Sequence, residues 1–143
     1  MRLTFCGLGF SLVVAAAFSS TPIVTAQEPG SRASLVMAGA SDFTQYCVVC
    51  HGKDAKGTGS LVASLVPKPA NLTELTSNNG GTYPSAMAFQ VIDGRNKVKG
   101  HGGRDMPEWG AAFLAATGSA DAEAVRRRIE GLVLYLETLQ GRK

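Results

Sequence analysis

The sequence predicts an all-α domain of three to five short helices, and three observations carry that expectation. Ala122, Val125, Ile129, Leu132, Val133, Leu136 and Leu139 recur at the spacing of one helix face. The stretch "SDFTQYCVVCHG", residues 41–52, reads as a helix running into a turn. Two further segments are bracketed by helix punctuation: Pro84 to Asp93 is followed by Gly94, and Pro107 to about Ala116 by Gly118. A proline suits a first helical turn, where its missing N–H bonds nothing, and a glycine suits the residue past a helix end. At 143 residues with no internal period, the chain holds one small domain.

Taken in order, the chain opens with an export segment. After Arg2 no charge occurs until Glu28, Leu3 to Phe18 is apolar, and Val24-Thr25-Ala26 offers small residues for cleavage before Gln27. Residues 1–26 therefore read as a signal peptide. The alternative is an uncleaved anchor, since an uncharged span of roughly 25 residues can cross a bilayer, although Ser19, Ser20 and Pro22 interrupt it. Cys6 leaves with a cleaved signal. Residues 27–38 read as a flexible tether and 39–143 as the domain, whose first helix runs from Gly39 or Ser41 to Cys50. Residues 51–82 form a long loop rich in Gly, Pro and Asn, with a short helical turn at "GSLVASL". The last helix has Ser119 as its expected N-cap, with Asp121 and Glu123 in a first turn that favours acids.

The mature chain keeps two cysteines, Cys47 and Cys50, and a disulfide between them would close too short a loop to stabilise much. Zinc, a redox dithiol and covalent haem attachment all use C-x-x-C. Zinc asks for four ligands, and beyond the cluster only His101 and carboxylates are on offer. A thioredoxin-like dithiol expects a preceding strand, which the helical reading of residues 41–50 does not supply. His51 completes C-x-x-C-H, in which two thioethers hold the porphyrin and the histidine is the proximal iron ligand. At ordinary residue frequencies the pattern arises by chance in well under ~1% of chains this size, so it is read as the attachment site of one haem c.

With that motif, the chain resembles the class I c-type cytochromes over nearly all of its mature length. Gly39 and Phe43 stand eight and four residues before Cys47, where that family places a glycine and an aromatic, and "DMPEWG" offers a methionine followed by proline. The resemblance implies a cytochrome c-like fold of short helices around one covalent haem, with Met106 as distal ligand. It implies that the last helix crosses the first at Gly39, with Phe43 and Tyr135 locking the crossing. It further implies that a proline carbonyl in "PKPANL" accepts the His51 ring N–H, Pro69 being favoured over Pro67, with mere stiffening of the loop as the alternative.

The residues support Met106 independently. Met1 is in the signal, Met37 sits too near the first helix's start to reach across, and Met87 lies in an apolar helical run that suits a core filler. Met106 follows the glycine-rich "KGHGGRD" and precedes Pro107, so a loop entering a fixed turn can present its thioether. A thioether is soft and favours ferrous iron. His101, in the same loop, is the rival ligand. Leu61, Leu65 and Leu72 can cover a haem face. Trp109 either seals the pocket, bonding a propionate through its indole N–H, or belongs to the core.

Charge bounds the partners. Without Arg2, 13 of the 14 basic residues remain against 11 acidic ones, and two haem propionates bring the holoprotein near neutrality, which argues against nucleic acid. Arg95, Lys97, Lys99 and Arg104 crowd the loop before Met106 and suit charge-steered docking of an acidic redox partner, or simply a solvated loop. Arg126, Arg127 and Arg128 read as a solvated face. No nucleophile or general base stands out beyond the haem motif, so the expectation is not an enzyme but a periplasmic one-electron carrier. It contacts a membrane only if residues 1–26 persist. The alternatives are a dedicated electron-transfer subunit of one dehydrogenase or oxidase, and a gas-responsive or peroxidatic haem protein.

Overall fold

The structure is a computed structural model that describes residues 30–95, 106–117 and 121–141. Among these residues every regular element is a helix or helical turn and no strand occurs, as the sequence predicts. No helix among them is long and apolar enough to cross a membrane.

Ser31 starts the first helix, its side-chain oxygen accepting the Ser34 N–H at 3.1 Å. Helix α1 (Arg32–Asp42) continues through a π-helical turn (Phe43–Cys47) into α2 (Val48–His51). The expected start at Gly39 or Ser41 is therefore corrected to Arg32, and most of the supposed 27–38 tether is helix. The added turns are held by tertiary contact: Arg32 Nη2 meets Glu137 Oε2 at 2.7 Å, and the Leu35 carbonyl lies against Gly131 of the last helix.

The long loop is more structured than its composition suggests. A 3-10 turn, Val62–Ser64, falls inside "GSLVASL", and a second, Leu72–Glu74, leads directly into α3 (Leu75–Asn78). These last turns were expected as loop. They are too short to show a period, and distant bonds hold them: Gln140 accepts the Thr76 N–H at 2.9 Å and donates to the Leu72 carbonyl at 2.8 Å.

Helix α4 (Ser85–Asp93) ends at Gly94 in the left-handed region, φ 68°, as its punctuation predicts. Helix α5 (Trp109–Thr117) follows Pro107, and α6 (Ala122–Thr138) closes the fold. The N-cap of α6 is Asp121 rather than Ser119, which lies outside the described residues. Asp121 Oδ1 accepts the N–H groups of Glu123 and Ala124 at 3.1 and 2.9 Å. Asp121→Ala is expected to cost about 1 kcal/mol, read as a lower urea midpoint with an unchanged slope.

Helix α6 supplies most of the core. Val125, Ile129, Leu132, Val133, Leu136 and Leu139 are buried, joined by Phe43, Ile92 and Phe113, while Ala122 of the predicted face remains exposed. Helices α1 and α6 cross at two glycines. A Cβ on Gly39 would collide with the Gly131 carbonyl, and one on Gly131 would lie 2.8 Å from the Leu35 carbonyl oxygen. Beside the crossing the Phe43 and Tyr135 rings pack at 5.4 Å. Gly39, Phe43 and Tyr135 were expected here; Gly131 was not. Yet a lone glycine in a helix interior costs about 1 kcal/mol relative to alanine, and that cost was the available signal of a close approach.

Candidate functional site

The helix carrying Cys47, Cys50 and His51 ends at Gly52, and the following loop folds back onto it. The N–H groups of Gly57, Gly59 and Leu61 donate to the carbonyls of His51, Cys50 and Val49 at 2.8, 3.1 and 3.0 Å. Gly59 approaches so closely that a Cβ there would strike the Val49 and Cys50 backbone. The three motif residues are thus fixed by their own helix on one side and a bonded loop on the other.

They line a cavity of about 360 Å³, and Met106 lines the same cavity. Its volume falls within the roughly 300–1,000 Å³ of small-molecule and cofactor pockets. Pro69, Leu72 and Trp109 are on the wall, together with Phe43, Tyr46, Leu132 and Leu136, so core helices and loop enclose it jointly. Of the leucines expected as covers, Leu65 and Leu72 lie here, whereas Leu61 is 46% exposed and elsewhere. Met37 is exposed and is not part of the lining. Met87, expected as a core filler, is instead 40% exposed and lines the cavity: the face of α4 that carries it turns from the core toward this wall.

The donor chemistry is distinctive. His51 Nδ1–H donates to the Ala70 carbonyl at 3.4 Å, leaving Nε2 as the nitrogen with a free lone pair. Burial lowers the His51 pKa, partly offset by that bond, so the imidazole is neutral at pH 7 and able to bind a metal. The acceptor is Ala70, which corrects the expected proline: the Pro69 oxygen packs against Gly57, so the chain meets the imidazole one residue later. Neither the sequence nor the proline pattern marks an alanine carbonyl for this role.

Burial, with the charges of Asp42 and Cys50 adding to it, pushes the Cys47 thiol up to about 12. Reactive dithiols have the opposite shift, and the motif is preceded by helix rather than strand. Among the described residues no group of three or more His, Cys, Asp or Glu is arranged to hold a metal by itself. A neutral imidazole, a thioether and two thiols around an apolar hollow fit a cofactor that brings its own equatorial ligands.

Lys97, Lys99, His101 and Arg104 lie outside the described residues. Arg95 is described, and its Nε bonds the buried Asp93 at 2.8 Å, which draws it away from a purely solvated role. The run Arg126–Arg128 is also corrected as a uniform solvated face. Arg126 pairs with Glu123 and Glu130 on its own helix, but Arg128 donates to both carboxylate oxygens of Asp42, each at 2.7 Å. No local pattern announces that pair, whose members lie on different helices.

Among curated proteins, the chain is similar to cytochrome c6 from Limnospira maxima, with 32% identity over 73 residues that cover 51% of this chain and 79% of that relative. No protein-family model and no solved structure matches the chain. Identity at this level, reaching across 79% of the relative, establishes the lineage to which the C-x-x-C-H turn already pointed: the chain belongs to the class I c-type cytochromes.

Proposed function

We propose that the chain is an exported carrier of single electrons, in which Cys47 and Cys50 would hold one haem c through thioethers and His51 and Met106 would ligate its iron. The observation that carries this reading is the convergence of these four side chains on one apolar cavity although Met106 lies on a distant segment. Bound there, haem supplies a ferric/ferrous couple that exchanges one electron at a time.

The protein's residues set the conditions for that exchange. The Ala70 carbonyl orients the His51 ring and increases its basicity by accepting the Nδ1 proton. Met106, as a thioether, favours the reduced state relative to a second histidine and so raises the potential. Pro69, Leu72 and Trp109 keep water from the cavity they line. If His51 and Met106 both held the iron, no position would be left open for a substrate, which would suit a carrier rather than an enzyme. Residues 1–26 direct it to the periplasm. Lys97, Lys99 and Arg104 favour an acidic redox partner, with Arg95 contributing less because Asp93 engages it.

The test is to produce the full chain with cytochrome c maturation machinery and record oxidised and reduced spectra with a redox titration. A covalent c-type spectrum, the methionine-to-ferric-iron charge-transfer band and a clearly positive potential are expected. Met106→Ala should abolish that band and lower the potential. A wild-type protein without the band and with a low potential would move the distal ligand to His101, and ready uptake of carbon monoxide would instead indicate a ligand-binding haem protein.

A further inference from the structure

Arg128 behaves unlike the other two arginines of its run. Its Nε and Nη2 each donate at 2.7 Å to a different oxygen of Asp42, a fork-on-carboxylate geometry, and the two side chains are only 26% and 13% exposed. The same guanidinium lies over two rings, 4.0 Å from the centroid of Phe113 and 5.1 Å from that of Tyr46. Tyr46, Trp109 and Phe113 form a closed triangle with centroids 5.4 to 5.5 Å apart.

Two corners of that triangle belong to the cofactor site. Tyr46 directly precedes Cys47, Trp109 is the first residue of α5 and stands three residues after Met106, and both line the cavity. Asp42, Arg128 and Phe113 are not part of the lining; they back it. One side chain of α6 therefore contacts both the helical segment carrying the thiols and imidazole and the helix that follows Met106.

Net stability is a poor explanation for such a pair. Removing a carboxylate and a guanidinium from water is costly, and apolar residues of like volume often serve stability as well. A bidentate, ring-stacked arginine contributes fixed geometry that apolar residues do not.

We infer that Asp42 and Arg128 are positioning residues for the haem site. They lock the Tyr46–Trp109–Phe113 wall and through it hold α5, and with α5 the Met106 turn, against the cavity. The effect at iron rests on the Met106 reading proposed above; the effect on Trp109 does not.

Trp109 is the only tryptophan in the chain, so its emission in the holoprotein reports its distance from the porphyrin, which quenches it. The proteins to compare are wild type, Arg128→Met, Arg128→Lys, the double variant Asp42→Asn/Arg128→Met, which strands no buried charge, and Leu139→Ala as a control at a buried core position outside the cavity lining. Emission, far-UV helix content, melting temperature and the pH at which the methionine charge-transfer band disappears are measured on each. Arg128→Met and the double variant should raise Trp109 emission severalfold and move the loss of the band toward neutral pH, at a temperature where helix content matches wild type. Arg128→Lys should fall between, and Leu139→Ala should melt earlier with both signals unchanged.

The inference is overturned if the Arg128 variants only melt earlier, as the control does, with emission and band as in wild type. Absence of the band from wild type overturns the Met106 assignment alone, and the Trp109 emission then decides this inference by itself. If Arg128→Met does not fold, Asp42→Asn, which keeps the shape and loses the charge, is read in the same way.

Discussion

Gly39→Leu is expected to leave no folded protein. The glycine sits where α1 meets the Gly131 carbonyl of α6, and even one Cβ would occupy the place of that oxygen. Ordinary overpacking costs about 1–3 kcal/mol, because side chains shift to admit the new atoms. Here the obstacle is backbone in a helix, so the two helices must separate and uncover Phe43, Ile129, Leu132 and Leu136. Since a small domain is stable by only ~5–15 kcal/mol in total, loss of this crossing exceeds what the fold can bear. Far-UV circular dichroism and haem content of Gly39→Leu are to be compared with Ala38→Leu, at an exposed position one residue earlier, which should resemble wild type. A Gly39→Leu protein with a wild-type melting temperature would show that α1 and α6 do not cross as described.

The second large effect is expected at the thiols. A Cys47→Ser/Cys50→Ser protein should carry no haem that resists acid-acetone extraction, and should also lose its helical structure. The cavity explains the second consequence. Without an apolar body in it, the lining of this roughly 360 Å³ hollow faces water, and burial worth about 25 cal/mol per Å² of apolar surface is lost from a domain stable by only ~5–15 kcal/mol in total. The walls at Leu72, Trp109, Leu132 and Leu136 pack properly only around a large apolar body. Helix content equal to wild type in the double serine variant, without bound haem, would contradict the haem-scaffold reading and return the cysteine pair to a role in thiol chemistry. The two experiments are complementary: one removes a helix contact with the thiols intact, the other removes the thiols with the contact intact.

Particular residues show why some features were legible and others were not. Val125 to Leu139 were readable because one helix face repeats along the sequence, and burial follows that repeat. The end of α4 at Gly94 was readable because a left-handed residue is a local requirement. Asp121 reads from the sequence as a first-turn acid, whereas it is the cap, two positions after Ser119, because the cap depends on where the chain turns into α6. The start of α1 was missed because its early turns hold position through Leu35 and Arg32 against α6, and nothing within residues 27–38 encodes that partner.

The sequence by itself determined the helical class and the local chemistry: two thiols and an imidazole within five positions, and a methionine set before a proline. Such features depend only on the identity and spacing of near neighbours, which a helix or turn converts directly into geometry. The tertiary structure alone decided that Ala70 meets His51, that Met87 faces the cavity, that Gly131 receives Gly39, and that Arg128 turns inward to Asp42 while Arg126 does not. Each of these is a contact between separate segments, fixed by how closely and at what rotation the helices cross. A one-residue change of rotation turns a side chain by about 100°, and nothing in the spacing along a single helix records which neighbour will be there to receive it.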